Sequence, residues 1–440
     1  MAIIDLGDVS APDFPEEPPE PARPLTRRGI VRVVAAVLAG ACALALNGAG
    51  RPAPPAVTET WSTPIGAQNW PHTMNDTVLV IHGDPGTEQE TTAYDLVTGQ
   101  VRWTADDPTL TSWLNPDPDS NQLYAPARIR SYEAADGPAY IGADTRAVDV
   151  RTGKVRWDSS GDELAATADE VLLGSRDDRG RVTALHLVRT TDGTAVWDRP
   201  IAATDYLVVS EEPGDSTRIV AKSTNGELTT LRWADGVPLA SRRVTPPTAY
   251  GWGPQVLGGQ FYDILTGTPD STVVAYATDT LTELWRFPTS GETSVQDCGP
   301  VVCVSDTHLT SGLDPVTGER RWKLPSGNTT ELPGGRLLLT GSRGMADAQS
   351  VLDAATGRTI RVAPAGKQVV PLDDGRLLAL GDTRSAPYRV TISEWDPDTG
   401  RATLIGAVPG RSDTCQAVGQ RLLCTGSGRL GVTDLGPRSR

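Results

Sequence analysis

Val148-Asp149-Val150-Arg151-Thr152-Gly153-Lys154-Val155-Arg156-Trp157 is the stretch on which the reading of this chain turns. An Asp-rich turn supplies a Gly, and a Trp follows four residues later. The arrangement returns in segments 94–103, 191–197 and 313–322, where Gly99, Gly193 and Gly318 precede Trp103, Trp197 and Trp322. A degenerate copy at 277–285 keeps Trp285 but has Leu281 in place of Gly. Turn positions fall at Gly99, Gly153, Gly193, Gly236, Leu281, Gly318, Gly357 and Gly400, with gaps of 37 to 54 residues. A unit of about 40 residues cannot bury its own apolar face, so repetition at this period means units stacked on one another.

From Thr60 onward, short apolar segments alternate with Gly, Asp, Asn and Pro turns, which predicts an all-β chain of four-stranded units. One unit places strands over 164–168, 170–175, 182–190 and 194–199. Composition agrees: Gly 45 and Pro 35 are plentiful, while Phe 3 and Met 3 leave aromatic packing to Trp 11 and Tyr 9. The two ends complement each other. Segment 60–65 reads as a lone fourth strand with Trp61 in the repeat position, and 415–419, 421–426 and 430–435 supply three strands and no fourth. Pairing them closes a ring and removes the exposed edges that make open sheets hazardous. The spacing favours eight blades; nine or seven also fit.

The net charge of −15 argues against nucleic acid, whose phosphates need a basic surface to displace counterions. Residues 1–28, acidic and proline-rich, read as a disordered cytoplasmic tail. Arg27-Arg28 precede an apolar run, and 29–49 approach the roughly 20 residues that span a bilayer. Basic residues on the near side favour an N-terminus inside, leaving 50–58 as a linker and 59–436 as an extracytoplasmic propeller at the cell membrane. A cleaved signal peptide and lipid attachment at Cys42 are the competing readings of the same run.

Segment 147–157 is similar to the tryptophan-docking repeat, alanine-x-aspartate-x-x-threonine-glycine-lysine-x-x-tryptophan, of the pyrroloquinoline-quinone-like β-propellers. Segments 93–103 and 312–322 fit it closely, and the resemblance covers roughly 60–435. It implies a propeller of exported, bacterial type in which the Asp–Gly turn joins third and fourth strands. Trp103, Trp157, Trp197, Trp285 and Trp322 would then dock between adjacent blades as structural residues. The adjacent Cys–Cys pair of quinoprotein alcohol dehydrogenases is absent, and their catalytic Asp and calcium ligands find no matching motif. No cofactor and no metal are expected.

Cys298, Cys303, Cys415 and Cys424 fall in two local pairs. Hairpin-local disulfides, Cys298–Cys303 and Cys415–Cys424, are favoured among the three connectivities. A four-Cys zinc site is the alternative, set back by wide spacing and the lack of a nearby His. His72, His82, His186 and His308 are scattered one to a repeat, and the acidic pairs Asp177-Asp178, Glu211-Glu212 and Asp373-Asp374 fall in turns. Tyr250-Gly251-Trp252-Gly253 lies outside the docking register as a candidate recognition loop. The expectation is a membrane-anchored, non-catalytic module that binds or scaffolds a protein or glycan. An exported quinoprotein-type oxidoreductase and a sensor signalling through the anchor are the alternatives.

Overall fold

Alternating apolar residues and turn formers give antiparallel strands of three to fifteen residues throughout. The computed structural model describes residues 57, 59–66, 71–82, 90–106, 115–117, 121–134, 137–210, 217–245, 253–267, 270–341, 349–383 and 388–436. Residues 1–28, the apolar run 29–49, most of 50–58, Glu211-Glu212 and Tyr250–Trp252 lie outside them, and with them the expectations placed there, Cys42 included. No helix among the described residues is long and apolar enough to cross a membrane.

The described strands fall into nine four-strand sets. Set I spans 72–105, set II 115–160, sets III and IV 162–243, set V 255–290, set VI 294–325, set VII 327–362 and set VIII 368–409. Set IX joins 415–434 to Glu59–Pro64, which pairs antiparallel with Arg429–Asp434, Trp61 opposite Val432. Sets III and IV share one strand, Ala195–Val209, and so run together as a seven-stranded sheet. The fourth strand expected to end at 199 continues past Pro200 and becomes the first strand of the next set. The long 54-residue interval belongs to set II alone, whose central strands Gln122–Ala134 and Gly137–Asp149 each hold thirteen residues.

Both faces of the second and third strands are apolar, as the buried run Val171-Leu172-Leu173 shows. The reason lies in the packing. Nine apolar clusters each join two successive sets, for instance Leu79 and Ala93 of set I with Leu123 and Val148 of set II. Leu380 and Ile392 of set VIII pack on Cys415 and Leu422 of set IX. Leu423 and Val432 of set IX pack in turn on Val78 and Val80 of set I. Each fully buried Leu or Val contributes roughly 1.5–3 kcal/mol, so the sets hold one another rather than themselves.

Candidate functional site

The Asp–Gly turn is built locally. Asp95 Oδ1 accepts hydrogen bonds from the N–H groups of Val97 and Thr98 and from the Thr98 hydroxyl. Gly99 N–H donates to Asp95 O at 2.9 Å with Gly99 at φ 70°. Asp149 repeats this with Arg151 and Thr152, and Asp314 with Val316 and Thr317. In three of the sets an Arg before the docking Trp closes the turn: Arg102 reaches Asp95 at 2.6 Å, Arg321 reaches Asp314 at 2.5 Å, and Arg156 pairs with Asp149. Arg102 and Arg321 hold the Asp95 and Asp314 carboxyls down to about 2.

Each indole meets the turn of the following set, not its own. Trp61 Nε1 donates to Leu96 O at 3.0 Å, Trp103 to Val150 O at 2.7 Å, Trp157 to Thr190 O at 2.8 Å and Trp197 to Trp233 O at 2.7 Å. Trp285 donates to Pro315 O at 2.8 Å and Trp322 to Ala354 O at 2.9 Å. The acceptor always stands three residues before the turn Gly. A Cβ on that Gly would lie 2.5 to 2.9 Å from the incoming ring at Gly99, Gly153, Gly193, Gly236, Gly318 and Gly357. Clearance for a neighbour's indole is therefore a second demand on these glycines, beyond turn conformation.

Three junctions lack the pairing, that between sets VIII and IX among them, where Leu404 stands four residues after Gly400. Between sets IV and V, Ala240 stands in the Trp position, and Arg242 two residues on donates to Leu281 O at 3.0 Å, its guanidinium 5.4 Å from the Tyr276 ring centre. Leu281 occupies the Gly position at φ 53° and is itself buried. Between sets VII and VIII, Arg361 donates to Pro397 O at 3.1 Å and Asp398 O at 2.9 Å beside Gly400. A cleft of about 410 Å³ opens there, floored by Leu332 and Trp395 and walled by Arg336, Arg376, Glu394 and Arg401. Arg336 pairs with Asp398 at 2.9 Å. Arg376, its side chain only 3 % exposed, donates to Asp374 at 2.8 Å and to Gly436 O at 3.0 Å. The Glu394 and Arg401 side chains have no partner among the described residues. The cleft thus offers one free carboxylate and one free guanidinium, a set of groups suited to holding a polar ligand.

Strand register also assembles groups that spacing does not reveal. His186 Nδ1 lies 2.6 Å from Asp198 Oδ1 and its Nε2 lies 2.8 Å from Ser175 Oγ. The order is that of orienter, base and nucleophile. Yet Asp198 is 63 % exposed at its side chain, and Gly174 and Arg176 beside Ser175 are paired in the sheet. Acyl transfer needs N–H donors aimed at a developing oxyanion, and none is assembled beside Ser175, where the strand pairs with Ala184 and the register shifts before Arg176. The triplet is a pin across three strands.

Cys298 is disulfide-bonded to Cys303, and Cys415 to Cys424. Cys415 stands within its strand directly across from Cys424, while Cys298 lies just past Asp297. The acidic pairs sit in turns: Asp177 accepts from the N–H groups of Arg179 and Arg181, and Asp373 from Gly419 N–H. Among the described residues, no three His, Cys, Asp or Glu side chains converge to hold a metal ion.

No protein-family model and no curated protein sequence matches the chain. Solved structures are similar in fold. A eukaryotic initiation factor shares 13 % identity over 78 % of this chain and 92 % of its own, with a TM-score of 0.50. BamB from Moraxella catarrhalis shares 15 % over 86 % and 99 %, with a TM-score of 0.44. The WD40 domain of SCAP from fission yeast shares 9 % over 86 % and 98 %, with a TM-score of 0.42. The likeness is one of fold. Here that means four-stranded antiparallel sheets packed face to face in series, the arrangement of a propeller repeat protein.

Proposed function

We propose that nine blades close into a ring, with the strand at Trp61 completing the last, and that the ring is a non-catalytic binding or scaffolding module. The pairing of Glu59–Pro64 with Arg429–Asp434 and the clusters flanking set IX support closure. In this reading the indoles and both disulfides are structural. Residues 29–49 anchor the ring to the cell membrane and 1–28 remain cytoplasmic, as the basic-flanked apolar run suggests.

The observation that carries the binding role is the cleft at the VII–VIII junction. It opens where an indole interlock is missing and holds Glu394 and Arg401, whose side chains have no partner among the described residues. Such a pair favours a polar peptide segment or a glycan over an apolar ligand. The test is affinity capture from solubilised membranes with the intact chain and with Glu394→Lys/Arg401→Glu. Loss of specific partners from the variant at unchanged thermal stability supports the reading. Identical partner sets from both proteins contradict it.

A further inference from the structure

Sets IV and V are joined by a buried pair of reactive side chains. Lys222 Nζ stands 2.8 Å from both Asp263 Oδ1 and Oδ2. Both side chains are only 3 % exposed. Their strands, Arg218–Ser223 and Gln260–Leu265, face each other through Val220, Phe261 and Leu265, so the pair sits at an apolar junction. This same junction has Ala240 and Leu281 in place of the Trp and Gly that lock most others, with Arg242 reaching across to Leu281 O.

We propose that Lys222 and Asp263 condense into an intramolecular isopeptide bond that ties set IV covalently to set V.

An amine and a carboxyl held in contact away from water meet the two conditions for amide formation. The first is proximity, since well-oriented intramolecular partners reach effective molarities of about 10⁵–10⁸ M. The second is neutrality. Burial pushes the Asp263 carboxyl up against the pull of Lys222, which favours passing the Nζ proton to the carboxylate within the pair. The neutral Nζ then attacks Cγ and forms the C–N bond. The C–O bond to the protonated hydroxyl breaks, the nitrogen gives up one proton, and one water molecule leaves. Amine plus carboxylic acid become amide plus water, with no oxidant or reductant required. Tyr206 stands directly opposite Lys222 in the ladder and therefore on the same face. Its phenol is pushed up, first by burial and then by the Asp205 and Asp263 charges, which keeps it protonated. The product also replaces a buried ion pair, whose desolvation is costly, by a neutral amide.

The experiment is intact-mass measurement of the full chain, denatured and with disulfides reduced, alongside Lys222→Arg. Denaturing conditions make the answer independent of whether the variant folds, and it does not depend on the binding role above. The expected result is a native chain lighter than its sequence mass by one water, a variant at full mass, and a branched peptide linking the 222 and 263 segments after digestion. A native chain at full mass overturns the proposal. So does the loss of one water from both proteins, which would place the dehydration elsewhere.

Discussion

The junction between sets VI and VII and the junction between sets IV and V solve one packing problem in two ways. At VI–VII, Trp322 covers Gly357 and donates to Ala354 O. At IV–V, Arg242 reaches over Leu281, and a buried Lys222–Asp263 pair lies deeper between the sheets. Gly357 and Leu281 occupy the same turn position and both adopt positive φ, 65° and 53°. The turn therefore accepts a side chain when no indole arrives from the preceding set. What makes Gly obligatory at 357 is the ring of Trp322, whose Cγ would stand 2.6 Å from an added Cβ.

The largest effect is expected from breaking the Lys222–Asp263 junction. Lys222→Met removes the proposed amide and leaves the Asp263 carboxylate buried and unpaired, the charge alone costing about 3–5 kcal/mol, and adding Asp263→Leu recovers the part owed to the charge. Denaturant unfolding of the single and double variants measures both; a double variant as unstable as the single one would assign the whole cost to the lost link. Trp322→Ala removes a buried indole and its hydrogen bond, with a cost of about 3–5 kcal/mol in the same assay. Gly357→Ala adds left-handed strain and a clash, together about 2–4 kcal/mol. Arg361→Ala, at an exposed surface contact, should cost under about 1 kcal/mol. A cost from Arg361 matching that from Trp322 would erase the distinction between the two kinds of junction.

Acid separates the two solutions by sign. Asp95 and Asp314 are held down to about 2 by Arg102 and Arg321. An unfolded Asp titrates near 3.9, so these groups contribute stability that is complete above roughly pH 4 and is lost as pH falls through about 2. In the proposed amide Asp263 has no carboxyl to titrate; only a chain that lacks the bond, its carboxyl raised by burial, would weaken as pH rises above the unfolded value. Unfolding measured across pH 2–5 should show a shallower acid limb for Asp95→Asn than for the native chain. An unchanged limb would count against the turn arginines as the cause.

Much of the fold was legible in the repeat. The Asp–Gly turns, the Trp register and the complementary ends are local signals, and turns at Gly99, Gly153 and Gly318 form where local hydrogen bonding from Asp and Thr dictates. Less visible was the partner of each indole, because Trp103 meets Val150 and not its own turn. Pro200 reads as a break, yet the strand runs through it, since the following Ile201 and Leu207 pack in the III–IV cluster. Ser175, His186 and Asp198 carry no motif and meet only through strand register. Lys222 and Asp263 lie 41 residues apart and meet only because two sets stack. The cleft could be suspected only from the missing Trp after Gly357 and Gly400. Its unpaired Glu394 and Arg401 needed the fold to bring them together.

The central claim is that each indole and the next set's glycine act as a unit, and a double-mutant cycle on Trp322→Ala and Gly357→Ala tests it most directly. With the ring gone, the added methyl should cost only its backbone strain, giving a coupling of about 1–3 kcal/mol between the two sites. Costs that simply add, within about 0.5 kcal/mol, would show that ring and glycine do not interlock.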